Sequence, residues 1–198
     1  MSMELYERRD ELVAERTALI RSMRGVRTLF VASFAEELEE RWDWAVRAWL
    51  RAHEGEIDES EIAGSRRELD TLHSRAREIA NAELSGPAVW GHEGSESEMS
   101  RKRAYAPEAD GERWTHISPA MERAERKAIE VLERRFGIGR ESMLDWHPGV
   151  PSEPLVDILE TYAESFSTLQ KVNIALERVR NQLPRPRPNL AAARLASD

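Results

Sequence analysis

Three of the five histidines closely follow a tryptophan, in Trp90-Gly91-His92, Trp114-Thr115-His116 and Trp146-His147. All three pairs fall outside the main helical stretches. If those connectors converge, His92, His116 and His147 can offer three imidazoles to one divalent metal, as catalytic zinc sites do. Glu93 and Asp145 would then be further ligands or would hold the ligands in place. The spacing matches no metal motif, however. A tryptophan that anchors a loop also leaves its histidine neighbour without a necessary role. A metal-dependent helical enzyme is therefore the third-ranked reading, and no cofactor is expected.

Asp70 and His73 place a carboxylate and an imidazole three residues apart on one helix face. Di-iron bundles use Glu-x-x-His twice, with two further glutamates from other helices. Here the motif is built on Asp and occurs once, so a surface ion pair or a helical hydrogen bond is favoured. Nucleophilic catalysis finds little support. The chain has no cysteine, which excludes thiolate nucleophiles, disulfides and Cys-ligated metals. It has no Gly-x-Ser-x-Gly elbow and no phosphate-binding Gly-rich loop with Lys.

Basic residues form three groups: Arg21, Arg24 and Arg27; Arg101, Lys102 and Arg103; and Arg178, Arg180, Arg185, Arg187 and Arg194. Arg and Lys hold phosphates, so Arg101, Lys102, Arg103, Arg185 and Arg187 are the candidate nucleic-acid contacts. An accessory subunit that touches nucleic acid is thus the runner-up reading. The net charge of −8 argues against a broad footprint, and no helix-turn-helix, zinc-finger or RNA-recognition pattern occurs. Arg178 and Arg180 also suit the negative end of a helix dipole. The stretch Pro184-Arg185-Pro186-Arg187-Pro188 favours polyproline II and could be read by a groove-binding domain. As a stop signal and spacer it needs no partner, and that reading is preferred.

These residues depend on helices to place them. Apolar residues make up 40% of the 198 and charged residues 33%, a balance that fits a folded protein with a highly charged surface. Arginines outnumber lysines 26 to 3. Met1 to Arg9 lacks the apolar core of a signal peptide, and no window approaches a membrane span. A cytoplasmic location without membrane contact is the expectation.

The strongest periodicity lies in 152–183. Leu155, Leu159, Tyr162, Phe166, Leu169, Leu176 and Leu183 recur at heptad spacing, with Asn173 and Arg180 in the remaining seam positions. Such a stripe needs another helix to bury it. At the other end, Leu5, Leu12 and Leu19 repeat every seven, shadowed by Tyr6, Val13 and Ile20. Met23, Val26 and Phe30 extend the row past Gly25, where a kink, a turn and continuation are all open. Leu29, Phe30, Phe34, Leu38, Trp42, Ala45, Val46, Trp49 and Leu50 mark the next stretch, to residue 53. Trp44 points about 160° away from its middle, which makes it an interface candidate. Ile62, Leu69, Leu72, Ala76 and Ile79 mark a further helix, ended by Ser85-Gly86-Pro87. Ser118 as cap with Pro119 as first helical residue starts another, ended at Phe136-Gly137.

The expected fold is all-α: four to five helices in an antiparallel bundle with a long C-terminal coiled-coil-like helix. Residues 1–88 form an N-terminal helical part of three helices, and 89–117 a loop. Residues 118–183 form a C-terminal helical part, and 184–198 a Pro/Arg-rich tail. The leading function is a non-enzymatic interaction or scaffold protein, self-associating or pairing with a protein partner. Leu159, Tyr162, Phe166, Leu169, Leu176 and Trp44 are its interface residues. Asn173 would fix register, and a homodimer is the simplest assembly. Pairing of the final helix within or between chains has the same sequence signature.

Overall fold

The computed structural model describes residues 2–90, 117–138 and 149–184. Within them the protein is all-helical: α1 (Ser2–Ala52), α2 (Glu59–Leu84), α3 (Pro87–Trp90), α4 (Ser118–Phe136) and α5 (Glu153–Gln182). No strand occurs among the described residues. None of these helices is long and apolar enough to cross a membrane.

α1 runs unbroken through Gly25, so of the three options continuation is the one realised. Gly in a helix interior costs about 1 kcal/mol relative to Ala, and the flanking turns carry that cost. Nothing lies within 4 Å of where a Gly25 side chain would project. The glycine is therefore not demanded by close packing.

The chain divides into two compact units, Met1–Arg24 with Ala163–Asp198 and Gly25–Tyr162. The first has a small core: Leu12, Val172 and Leu176 are buried together, with Leu19, Ala175 and Val179 packed against them. Beside it Arg16 Nε donates to Asn173 Oδ1 at 3.0 Å. Asn173 thus meets a charged donor from α1 rather than a carbon surface, which satisfies its carbonyl.

The larger unit has the larger core. From α1 come Phe30, Phe34, Leu38, Trp42, Ala45 and Val46, all fully or nearly enclosed. They recur at helical spacing, which is why one face of α1 is dry. α2 adds Leu72, Ala76, Ile79, Ala80 and Leu84, and α4 adds Met121, Ala124, Ala128, Ile129 and Leu132. Leu155, Leu159 and Tyr162 of α5 are buried as well. Trp90 ties aromatic groups together. Its ring meets Phe30 edge-on at 5.4 Å and Tyr162 at 4.8 Å, and its Nε1–H donates to Leu84 O at 2.6 Å.

The start of α4 differs from the expected cap. Ile117, not Ser118, holds the cap position, and its carbonyl accepts from Ala120 N at 2.9 Å and Met121 N at 3.0 Å. Ile117 is wholly buried, so packing fixes the first turn where a polar cap was expected. Pro119 still lies in that turn, where its missing N–H costs nothing. Gly137 ends the helix at φ +67°, a left-handed conformation that favours glycine.

Gly25→Ala should stabilise the full chain by about 1 kcal/mol in urea denaturation, because it adds helix propensity without a clash. A loss of stability would mean that the glycine's freedom is used at this position.

Candidate functional site

Glu125 is the one buried charged residue among the described residues. It sits on α4 between Ala124 and Ala128, inside the apolar stripe. Its Oε1 accepts from Arg41 Nη1 at 2.8 Å, and its Oε2 accepts from the Gly149 backbone N–H at 2.6 Å. Arg41, one-third exposed, also lies 3.5 Å from Glu37 Oε2. Glu37 Oε1 in turn accepts from the Ser152 hydroxyl. The network ties α1, α4 and the turn before α5 together in one place.

Backbone geometry makes the tie specific. Gly149 has φ +79°, and a side-chain carbon there would sit 3.2 Å from the Ser118 carbonyl oxygen. Only glycine brings this backbone N–H to Glu125 without strain. Just before α5, the Ser152 carbonyl accepts Val156 N–H at 2.9 Å, while its hydroxyl is given to Glu37.

The two carboxylates have different surroundings. Glu125 is met on both oxygens by donors. Burial pushes the Glu37 carboxyl above its ordinary value, against the opposing pull of the Ser152 hydrogen bond and Arg41. Glu83, on α2, shows the contrary case: hydrogen bonds from Lys127 and Arg123 of α4 hold it below its ordinary value. Chemically, the Glu125 network is a linchpin for a turn. Both oxygens of its buried carboxylate are matched to donors of the protein, so it is organised to hold structure.

The sequence-predicted sites are placed unevenly. His92, His116 and His147 lie outside the described residues, as do Glu93 and Asp145. The same holds for Arg101, Lys102, Arg103, Arg185 and Arg187. Among the described residues no group of three His, Asp or Glu side chains is arranged to hold a metal. His73 does not depend on its own helix for a partner: its Nε2 lies 2.9 Å from Asp43 Oδ1 on α1. A carboxylate can only accept, so the imidazole donates. The Asp70 side chain lies outside what is described.

Of the interface candidates, Leu159, Tyr162, Leu169 and Leu176 are buried within this chain, and Phe166 is half-buried. Trp44 is 56% exposed. A groove of about 550 Å³ also opens between α1 and α2, lined by Arg27, Val31, Ala35, Glu36, Arg77 and Asn81 among others. Sequence reading missed both the groove and the Glu125 network. The groove has no linear signature. Glu125 had one: a carboxylate four residues after Met121 and three before Ala128 stands on the dry face by helical period.

No protein-family model matches the chain, and comparison with curated proteins and with solved structures returned no similar protein.

Glu125→Ala should cost about 3 kcal/mol in urea denaturation, since it strips Arg41 and Gly149 N–H of a buried acceptor. A change within about 0.5 kcal/mol, as neutral surface positions give, would show that the carboxylate holds nothing in place. Glu37 yields a pH test. Its raised affinity for a proton in the folded state means that its stabilising contribution is complete below pH 4.5 and is lost as pH rises through the folded value. Glu37→Gln is therefore expected to be at least as stable as the parent at pH 7, with the difference closing towards pH 4. Urea midpoints at the two pH values decide it, and a variant weaker at pH 7 than at pH 4 would reverse the sign.

Proposed function

We propose that this chain is a non-enzymatic interaction protein: an antiparallel helical bundle with coiled-coil-like seams that associates with a second copy through the outer faces of its long helices. The observation that carries this reading is apolar exposure along α1. Trp44 is 56% exposed and Leu29 54%, on a helix whose dry face is already buried by its own chain. Single exposed apolar residues are common on any surface, but tryptophan is enriched at interfaces and costly to leave in water. The candidate seam of α5 is satisfied within the chain through Leu159, Leu169 and Leu176. That burial supports association through the outer faces instead.

Antiparallel packing is supported by the direction of the ion pairs. Glu39 of α1 bonds Arg77 of α2, and Asp43 approaches His73, so partners descend on one helix as they ascend on the other. Glu83 with Arg123 and Lys127, and Glu68 with Arg135, follow the same rule between α2 and α4. Asn173 in the α5 seam supports fixed register, because its bond to Arg16 forms in one alignment of the two helices.

Light scattering on the full chain over a concentration series tests this. A mass well above the monomer's 22.7 kDa at tens of micromolar is expected. A mass of 22.7 kDa at every concentration would remove self-association.

A further inference from the structure

The small unit is built from one end of α1 and the later part of α5, and its core lies along a single line on each helix. Leu12 meets Val172 and Leu176, and Leu19 packs beside them. A second apolar row runs next to that line on α1. Tyr6, Val13 and Ile20 repeat every seven residues, about 100° around the helix from Leu12. Within the chain this row is only partly covered: Tyr6 is 40% and Val13 41% exposed, and Ile20 is half-buried. Seven-residue spacing keeps such a row on one helix face for three heptad positions, the pattern of a seam rather than of scattered surface residues.

A second and independent feature is the distribution of charge along the same segment. Residues 2–12 contain four acidic side chains, Glu4, Glu7, Asp10 and Glu11, against two arginines. Residues 14–24 contain Arg16, Arg21 and Arg24 against one acid, Glu15. The segment is thus negative in one half and positive in the other. Two copies laid antiparallel set each negative half beside a positive one, whereas two parallel copies set like against like. An unrelated partner would not need a segment complementary to itself.

Resting on the interaction reading above, we infer that residues 2–24 of α1 form an antiparallel interface with the same residues of a second copy, centred on Val13. Val13 then meets its own equivalent across a two-fold axis, and Tyr6 meets Ile20 of the second copy. This is an isologous contact, in which one patch serves both subunits and the assembly closes as a dimer. Arg9 lies with its guanidinium carbon 5.2 Å from the Tyr6 ring centre and bonds Asp10 at 2.7 Å. Those contacts fix the aromatic at the edge of the row.

The lack of cysteine makes a direct test available, since one introduced thiol is unique in the chain. Full-length Val13→Cys, Tyr6→Cys and Trp44→Cys are oxidised, or treated with a short bismaleimide, and run on a denaturing gel. Val13 and Tyr6 are both exposed, so the folded chain tolerates these changes, and far-ultraviolet circular dichroism verifies it. Val13→Cys is expected to crosslink into a dimer. Tyr6→Cys is not, because the two copies of residue 6 lie about 21 Å apart along an antiparallel pair. Val13→Glu should weaken self-association at least about tenfold, read by light scattering. Crosslinking of both Val13→Cys and Tyr6→Cys would mean a parallel pair and overturn the inference. A dimeric mass with crosslinking at Trp44→Cys alone would also overturn it and leave the interaction reading standing. A monomeric mass at every concentration would overturn both.

Discussion

The dry face of α1 between Phe30 and Val46 is the constraint around which the larger unit is arranged. Phe30, Phe34, Leu38, Trp42 and Val46 recur every four residues and are almost wholly removed from water. Burying one large apolar side chain contributes about 1.5–3 kcal/mol. A row of five therefore strongly favours arrangements that cover it. The helices that supply the cover bring apolar faces of their own, from α2 Leu72, Ala76, Ile79 and Leu84 and from α4 Met121, Ala124, Ala128 and Leu132. Phe30 and Phe34 stack with ring centres 6.4 Å apart, and Trp90 closes on Phe30 from the edge. The aromatic end of the row is thus filled by Trp90 of α3.

That dry interior gives its polar exceptions their weight. Glu125 would be expensive to bury alone, and Arg41 with the Gly149 N–H compensates it on both oxygens. The compensation needs a particular turn conformation, so the carboxylate selects the backbone path into α5. Glu37 has weaker compensation, and burial shows in its raised proton affinity. Trp42 is the unmatched case: its indole N–H is buried without a hydrogen-bond partner among the described residues. Ring burial outweighs that loss, since an unmade hydrogen bond costs about 1–3 kcal/mol and tryptophan carries a large apolar surface.

Surface charges add direction rather than much stability. Exposed pairs such as Arg135 with Glu68 contribute about 0–1 kcal/mol each. Their sequence is informative nonetheless, because complementary charges at fixed helical steps disfavour other alignments. The arginine-rich composition suits this use, as a guanidinium spans the gap between neighbouring helices and offers several donors.

Much of the fold was legible in the sequence because helical burial has a period. The all-α class, the face of Trp42 against that of Trp44, the stop at Gly137 and the burial of Leu155, Leu159, Leu169 and Leu176 on the final helix all follow from spacing or from the chemistry of one residue. Three things were decided by tertiary structure. Continuation of α1 through Gly25 depends on whether packing on both sides offsets about 1 kcal/mol, which no local pattern reveals. The cap of α4 at Ile117 depends on the burial of that side chain, which took the place of a polar cap at Ser118. The Glu125 network joins residues that lie 24 and 84 positions apart. Its carboxylate could be seen standing on a dry face, but its partners could not, because local periodicity places a side chain on a face and only the folded chain determines what that face meets.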